Sequence, residues 1–217
     1  MRIAPMATIA VLGAAAILSD SAAVGPHGAA RAASFDCNQA AAPSEFAICG
    51  DARLSQVDSA IGVAYAQRLA LDPSIRQIQR GWLKARNLGC GKDRDCLSRL
   101  MNFELGWLRS GQRLSSALPR TLGACAVTSV SRVGSRLEGD PGSGSAIEEA
   151  DGATQVSYDE IAAVDASRRG DPVLVCLVGL PSDCPPGDDR GKTYAAANLR
   201  TLGAWSAADS EHMCGGA

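Results

Sequence analysis

Eight cysteines spread through the 217-residue chain constrain its fold more than any other feature. None is spaced as Cys-x-x-Cys, so the spacing of a thioredoxin-like redox pair or of an ordinary zinc ribbon is absent. Disulfides persist in oxidising compartments, where small exported domains use them to supplement a limited hydrophobic core. We therefore expect structural disulfides within two groups of four, namely Cys37, Cys49, Cys90 and Cys96, and Cys125, Cys176, Cys184 and Cys214.

The N-terminal segment has the pattern of a secretory signal peptide. Arg2 precedes a mostly apolar run from Ile3 to Leu18, which is shorter than the about 20 apolar residues of a spanning helix. We expect residues 1–33 to be a signal peptide and spacer. The residues before Cys37 do not resemble a lipoprotein site, so no lipid anchor is expected. No membrane span is expected either, because no second apolar segment is long enough. The predicted location is the periplasm or the extracellular medium.

The balance of charges changes near Pro119. From Phe35 to Arg120 there are twelve Lys and Arg against eight Asp and Glu, net +4, whereas from Thr121 to Ala217 there are seven against fourteen, net −7. We predict an α+β protein in which a helical domain, 34–119, is followed by a small β-rich domain, 120–217. With a net charge of −2 and only three each of Trp, Tyr and Phe, the chain lacks the features of a nucleic-acid-binding protein.

The first half has the apolar periodicity of a small helical bundle. One stripe with three- and four-residue steps is formed by Leu54, Val57, Ile61, Tyr65 and Leu69. Asp72 and Pro73 should separate this helix from the next, which should end near Gly89 to Gly91. A short helix is predicted from Pro43 to Gly50, with Ser44 as its N-cap and Glu45 in its first turn. Among the open pairings, Cys37 with Cys96 and Cys49 with Cys90 would tie these helix ends together.

The same half resembles the N-terminal domain of the LprI-type lysozyme inhibitor family. The resemblance rests on four cysteines, on Glu45, Leu54, Asp58 and Tyr65, and on a run containing Gln79, Trp82, Arg86, Cys90, Cys96 and Leu97. It covers about 80 residues and implies an exported helical domain and, for the family's namesake, inhibition of lysozyme. The ending from Arg190 to Ala217 resembles the tails of longer proteobacterial members.

Two of these family positions, Trp82 and Arg86, have two interpretations. Trp82 falls on the apolar stripe of its helix, and Arg86 follows one turn later, where it could pair with Glu45 or Asp58. In that case both residues serve the core. Alternatively, they contact a partner directly, because Trp and Arg dominate interface hot spots.

The second half has β-branched stretches separated by turn residues. The β-branched stretches are CAVTSVSRVGSRLEG, ATQVSYDEIAAV and DPVLVCLVGL. They are separated by GDPGSGS, which predicts a loop, by DG, which predicts a hairpin turn, and by RRGD. Val173 to Leu180 should be the central strand, since it is almost continuously apolar. The preferred pairings here are Cys125 with Cys176 and Cys184 with Cys214.

The stretch CPPGDDRGKTY contains Gly191-Lys192-Thr193, the end of a phosphate-binding loop motif. The first glycine of that motif is replaced by Pro186, and Asp188 and Asp189 would place carboxylates where phosphates must sit, so a nucleotide site is not predicted. The stretch instead predicts a stapled polar loop with Asp188, Asp189 and Arg190 at its tip. This tip either contacts a basic partner or is a structural turn in which Arg190 pairs with one of the aspartates.

No catalytic or metal centre is predicted. His212 lies near Asp209, Ser210 and Cys214, but an oxidised Cys214 cannot act as a nucleophile, and adjacent residues rarely converge as a triad. Asp183, Asp188 and Asp189 lack the alternation of a calcium loop. We expect no cofactor, and a non-catalytic binding protein whose partner is lysozyme or another muramidase. The alternatives are an envelope interaction module with another partner and a hydrolase that acts on envelope polymers.

Overall fold

The computed structural model of the protein describes residues 33–216. Apart from Ala33, the predicted signal peptide lies outside the described residues. The chain forms helices first and an antiparallel sheet second, which confirms the α+β fold class. Among residues 33–216, no helix combines the length and the apolar character needed to cross a bilayer.

The first half consists of a short 3-10 turn, Cys37–Gln39, and four helices. These are α1, Pro43–Cys49; α2, Ala52–Leu71; α3, Ile75–Cys90; and α4, Arg94–Ser110. Aspartates set two of the starts: Asp51 accepts hydrogen bonds from the first-turn amides of α2, and Asp93 does the same for α4. The predicted break at Asp72 and Pro73 separates α2 from α3.

The predicted N-cap of α1 was wrong. Ala42 is the N-cap residue, because Pro43 occupies the first helical position, and the carboxylate of Glu45 accepts hydrogen bonds from the amides of Ala41 at 2.8 Å and Ala42 at 3.0 Å. Ser44 is fully buried, and its hydroxyl contacts Asn87 Oδ1 at 2.8 Å. It therefore ties α1 to α3 rather than capping α1.

The second half is a closed six-stranded antiparallel barrel. Its strands, in the order β1-β2-β3-β6-β5-β4, are β1, Cys125–Leu137; β2, Asp140–Glu149; β3, Thr154–Val156; β4, Pro172–Gly179; β5, Thr193–Asn198; and β6, Ala204–Ala208. A short helix, α5, Ala162–Asp165, lies between β3 and β4. Closure pairs β4 with both β1 and β5, so the predicted central strand has neighbours on both sides.

Two predictions about local structure in this half were wrong. From Asp140 onward the stretch GDPGSGS belongs to β2 instead of a loop, because Asp140 and Ser145 pair with β1 and Ile147, further along β2, fills the barrel interior. Gly144 is needed there: an added Cβ would lie 2.1 Å from the carbonyl oxygen of Ser157. The second departure concerns the sequence IAAV: Ile161 is the N-cap of α5 and Ala162 to Val164 lie in that helix instead of in a strand.

The helices pack on the outer face of the barrel through α3. Gly81, Ala85 and Gly89 form a stripe of small residues along α3. A Cβ added at Gly89 would lie 2.5 Å from that of Ala195 in β5, so the helix and the strand approach closely. The apolar core of the helices continues onto the barrel surface, where it includes Cys125, Leu174, Cys176 and Leu199. A second core fills the barrel interior with Val173, Val175, Leu177, Ala196 and Trp205.

All eight cysteines are paired. The predicted bridges Cys125–Cys176, which joins directly opposed residues of β1 and β4, and Cys184–Cys214 are confirmed. The predicted pairings of Cys37 with Cys96 and Cys49 with Cys90 were wrong: Cys37 bonds Cys49, and Cys90 bonds Cys96. Each of these two bridges closes a local segment, one around α1 and one around the α3–α4 turn. Four disulfides are typical of proteins from an oxidising compartment.

Candidate binding site at the end of the barrel

A pocket of about 650 Å³ opens at one end of the barrel. Four segments of the chain contribute to its walls: the connection from α4 to β1, the turn between β2 and β3, the loop between β4 and β5, and the residue that follows β6. The amide of Leu118 donates to Asp151 Oδ2 at 2.9 Å, which joins the first two segments. Its charged lining residues are Arg120, Asp151, Asp189, Lys192 and Asp209.

The stapled loop, residues 180–192, holds its shape through ionic contacts at its tip. The guanidinium of Arg190 donates to both carboxylate oxygens of Asp188, at 2.9 and 2.8 Å. Asp188 also accepts the amide of Gly215 at 3.0 Å, next to the Cys184–Cys214 bridge. The pairing of Arg190 with Asp188 matches the structural-turn interpretation of the sequence. Both residues are therefore occupied internally.

The Gly191-Lys192-Thr193 tripeptide binds an anion that the protein itself supplies. Asp209 Oδ1 accepts hydrogen bonds from the amides of Gly191 at 2.7 Å and Lys192 at 3.0 Å. The ammonium group of Lys192 contacts the carboxylate of Asp189 and lies 3.4 Å from Asp209 Oδ2. The groups that would grip a phosphate are thus engaged by Asp209, which rules out a phosphate cradle in this conformation.

Asp189 is the most accessible charged group of the loop tip, with 82% of its side chain exposed. The hydrogen bond from Lys192 lowers the pKa of Asp189, and the contact with Arg190 lowers the pKa of Asp188 far below its ordinary value. Both carboxylates therefore stay ionised at neutral pH. A general acid requires the opposite, a carboxyl group that keeps its proton near neutrality. The loop is suited to electrostatic contact.

The other two predicted site residues, Trp82 and Arg86, lie in the core of the helices. Trp82 is fully buried and Arg86 is 2% exposed, so neither side chain is available to a partner. Arg86 Nη1 lies 3.3 Å from Asp58 Oδ1, and its guanidinium stacks 5.2 Å from the centre of the Trp82 ring. The buried-ion-pair interpretation is thereby confirmed, with Asp58 as the partner. Glu45 instead caps α1.

No family model, curated protein or solved structure matches this chain. Assignment of a function therefore rests on the residues and on the geometry of the site.

The residues considered for catalysis do not form a reactive group in the described structure. Cys214 is oxidised, and the hydroxyl of Ser210 donates to the backbone oxygen of His212 at 2.7 Å. The imidazole of His212 is exposed. Nowhere in residues 33–216 do three or more His, Cys, Asp or Glu side chains cluster so that they could hold a metal ion.

Two carboxyl groups have raised pKa values that no sequence pattern predicts. Burial raises the pKa of Glu104 to about 8 and that of Glu149 to about 7. Both are 1% exposed, Glu104 in α4 and Glu149 at the end of β2, so neither can meet a substrate at the surface. The sequence carries little sign of them: Glu104 lies among apolar residues of α4, whereas Glu149 follows a second glutamate, as a surface residue would.

Proposed function

We propose that the protein is an exported, non-catalytic binding protein that inhibits a lysozyme-type muramidase by protein–protein contact through the stapled loop. One observation carries the proposal: an ionised carboxylate, Asp189, is held exposed on a loop whose shape is locked by a disulfide and by internal ion pairs. Pre-organised loops lose little conformational entropy on binding. The resemblance of the helical half to LprI-type inhibitors supports the choice of muramidase as the partner.

The charge distribution supports a basic partner. The barrel half carries net −7, whereas the helical half carries net +4. A basic enzyme would be attracted to the barrel end, where Asp151 and Asp189 line the pocket. Such attraction mainly accelerates association and weakens as salt screens it. The periplasm or the extracellular medium is the compartment in which protein and muramidase would meet.

The test is a muramidase assay with purified exported protein at low salt. We expect inhibition that Asp189→Asn weakens by roughly twofold to fivefold, the range for an exposed ion pair. Glu138→Gln is the matched control, since it removes the same charge from the β1–β2 turn, where Glu138 is exposed and does not line the pocket. Its inhibition should equal that of the unaltered protein.

Unchanged muramidase turnover at a large molar excess would overturn the proposal. A pull-down from periplasmic extract then tests the alternative of an envelope module with another partner. Release of products from envelope polymers by the purified protein alone would instead identify a hydrolase.

A further inference from the structure

A second pocket, of about 630 Å³, lies where the end of α2, the start of α3 and the end of α4 meet. It shares no lining residue with the pocket at the barrel end. Its volume is within the usual range for small-molecule sites, which are mostly apolar with a few polar groups. Apolar walls come from Ile75, Ile78, Trp107, Leu114 and Val127.

Arg68, on the wall of this pocket, is a buried cation that makes no direct ion pair within the described residues. The residue is only 9% exposed, yet it forms no ion pair with a carboxylate of residues 33–216. Its Nη2 donates to the carbonyl oxygen of Gln112 at 3.1 Å, and its guanidinium lies 5.6 Å from the centre of the Trp107 ring. Its Nη1 has no hydrogen-bond partner within the described part of the chain. Buried charges are ordinarily paired, so this arrangement points to an anion that completes the site.

The rest of the pocket also favours an anion. Arg113 lines it as a second guanidinium and forms no ion pair with a described carboxylate. Ser74 and Ile75 bring the positive end of the α3 dipole to the pocket, and the Ser74 side chain makes no capping hydrogen bond. Asp72 is the one carboxylate in the lining, and its Oδ1 accepts the amide of Ser74 at 3.0 Å. It offsets one of the two guanidinium charges and leaves a net positive pocket.

We propose that this pocket binds a small carboxylate with an apolar body. The carboxylate pairs with the guanidinium groups of Arg68 and Arg113, and the apolar part lies against Ile75, Ile78 and Val127. Guanidinium–carboxylate hydrogen bonds join two ionised groups and are roughly twice as strong as bonds between neutral groups. Two sources present the same chemistry: a free aliphatic acid, and the C-terminus of a short peptide that ends in an apolar residue.

The test titrates octanoate into the full exported protein and follows the indole N–H signal of Trp107 by NMR, assigned with Trp107→Phe. We expect saturable binding for octanoate and none for uncharged octanamide. Arg113→Gln should weaken binding roughly tenfold, because a charge-assisted hydrogen bond is lost. The matched control is Arg109→Gln, which removes an exposed charge from the last turn of α4 outside the pocket and should leave the affinity unchanged.

Absence of saturable octanoate binding, equal binding of octanamide, or an equal loss in the Arg109 and Arg113 variants would overturn the proposal. Because Arg113 is exposed, its substitution should not affect folding, which the NMR spectrum of each variant checks directly. A second arm compares a short peptide ending in leucine with its C-terminal amide. Tighter binding of the free-acid peptide than of octanoate assigns the peptide as the source, and the reverse order assigns the aliphatic acid.

Discussion

At the scale of single residues, Arg86 illustrates what separates a core residue from a contact residue. Its Nε and Nη2 donate to Asn87 Oδ1 at 3.0 and 2.9 Å, and its Nη1 faces Asp58. Asp58 in turn accepts the amide of Ser34 at 2.8 Å. Sequence spacing leaves Glu45 and Asp58 as equal candidates for Arg86. Asp58 is the partner because packing of α2 against α3 brings it to the buried guanidinium, while Glu45 is used at the start of α1.

A second buried polar group, inside the barrel, links stability to pH. Gln155 Nε2 donates to Glu149 Oε1 at 2.6 Å, and Trp205 Nε1 donates to Gln155 Oε1 at 3.0 Å. Glu149 Oε2 has no partner among the described residues. Burial disfavours the ionised form and raises the pKa of Glu149 from 4.5 to about 7.

We predict that Glu149 lowers stability as pH rises. In the unfolded chain its carboxyl loses the proton near 4.5, whereas the folded protein keeps it until about 7. Between those pH values the folded state binds more protons than the unfolded chain, so the free energy of unfolding falls by on the order of 3 kcal/mol. Above about pH 7 this carboxyl is ionised in both states and causes no further change. Glu149→Gln should remove this loss, as measured by urea unfolding at a series of pH values.

The neighbouring Glu148 provides the control for that experiment. The hydrogen bond from Arg132 lowers the pKa of Glu148, so its charge does not change in the same pH window. Glu148→Gln should retain the pH dependence of the unaltered protein. An unaltered pH dependence in Glu149→Gln would contradict the assignment of the effect to the barrel interior.

At the scale of elements, the interface between α3 and the barrel depends on glycine and alanine residues, which have little or no side chain. Gly81 and Gly89 face Ala197 and Ala195 of β5, and Ala85 lies between them, fully buried. Small residues on both surfaces let the helix axis approach the sheet. The sequence indicates only part of this interface. The small residues recur every four positions in α3, but their partners in β5 come from the stretch TYAAAN, for which the sequence predicts no strand.

Gly89→Ala should destabilise the protein by about 1–3 kcal/mol, the cost of overpacking a closed interface. The new methyl group would lie 2.5 Å from Ala195 Cβ and 3.1 Å from a methyl carbon of Val178. Gly106→Ala in α4 is the matched control, because a Cβ there meets nothing within 4 Å. It should stabilise by roughly 0.5–1 kcal/mol through helix propensity. Denaturant unfolding measures both, and equal effects of the two substitutions would refute the close-packing argument.

At the scale of the whole molecule, the two halves share a core. The cluster that contains Trp82, Leu97 and Met101 of the helices also contains Leu174 and Leu199 of the barrel half. Separating the halves would expose these side chains, at about 25 cal/mol for each Å² of apolar surface. The division at residue 119 therefore describes a change in composition and in secondary structure, with a continuous core across it.

We predict that the helices and the barrel unfold in one transition while the disulfides are intact. Far-UV circular dichroism at the helix band should follow α2 to α4, and the fluorescence of Trp205, isolated by Trp82→Phe and Trp107→Phe, should follow the barrel interior. Coincident denaturant midpoints are expected from the shared core. Two separated midpoints would show that each half folds independently of the other.

Periodicity and turn residues determined much of the fold: the helices, the breaks between them, the strand around Cys176 and the polar loop at Cys184 all follow from local patterns. Only the tertiary structure decided the rest. Closure of the barrel supplied partners that made the glycine-rich β2 and the alanine-rich β5 into strands. Packing likewise brought Asp58 to Arg86, and it placed Arg68 in a pocket where no described carboxylate pairs with it directly. Local patterns follow from backbone preferences, whereas these outcomes depend on which distant surfaces meet and exclude water.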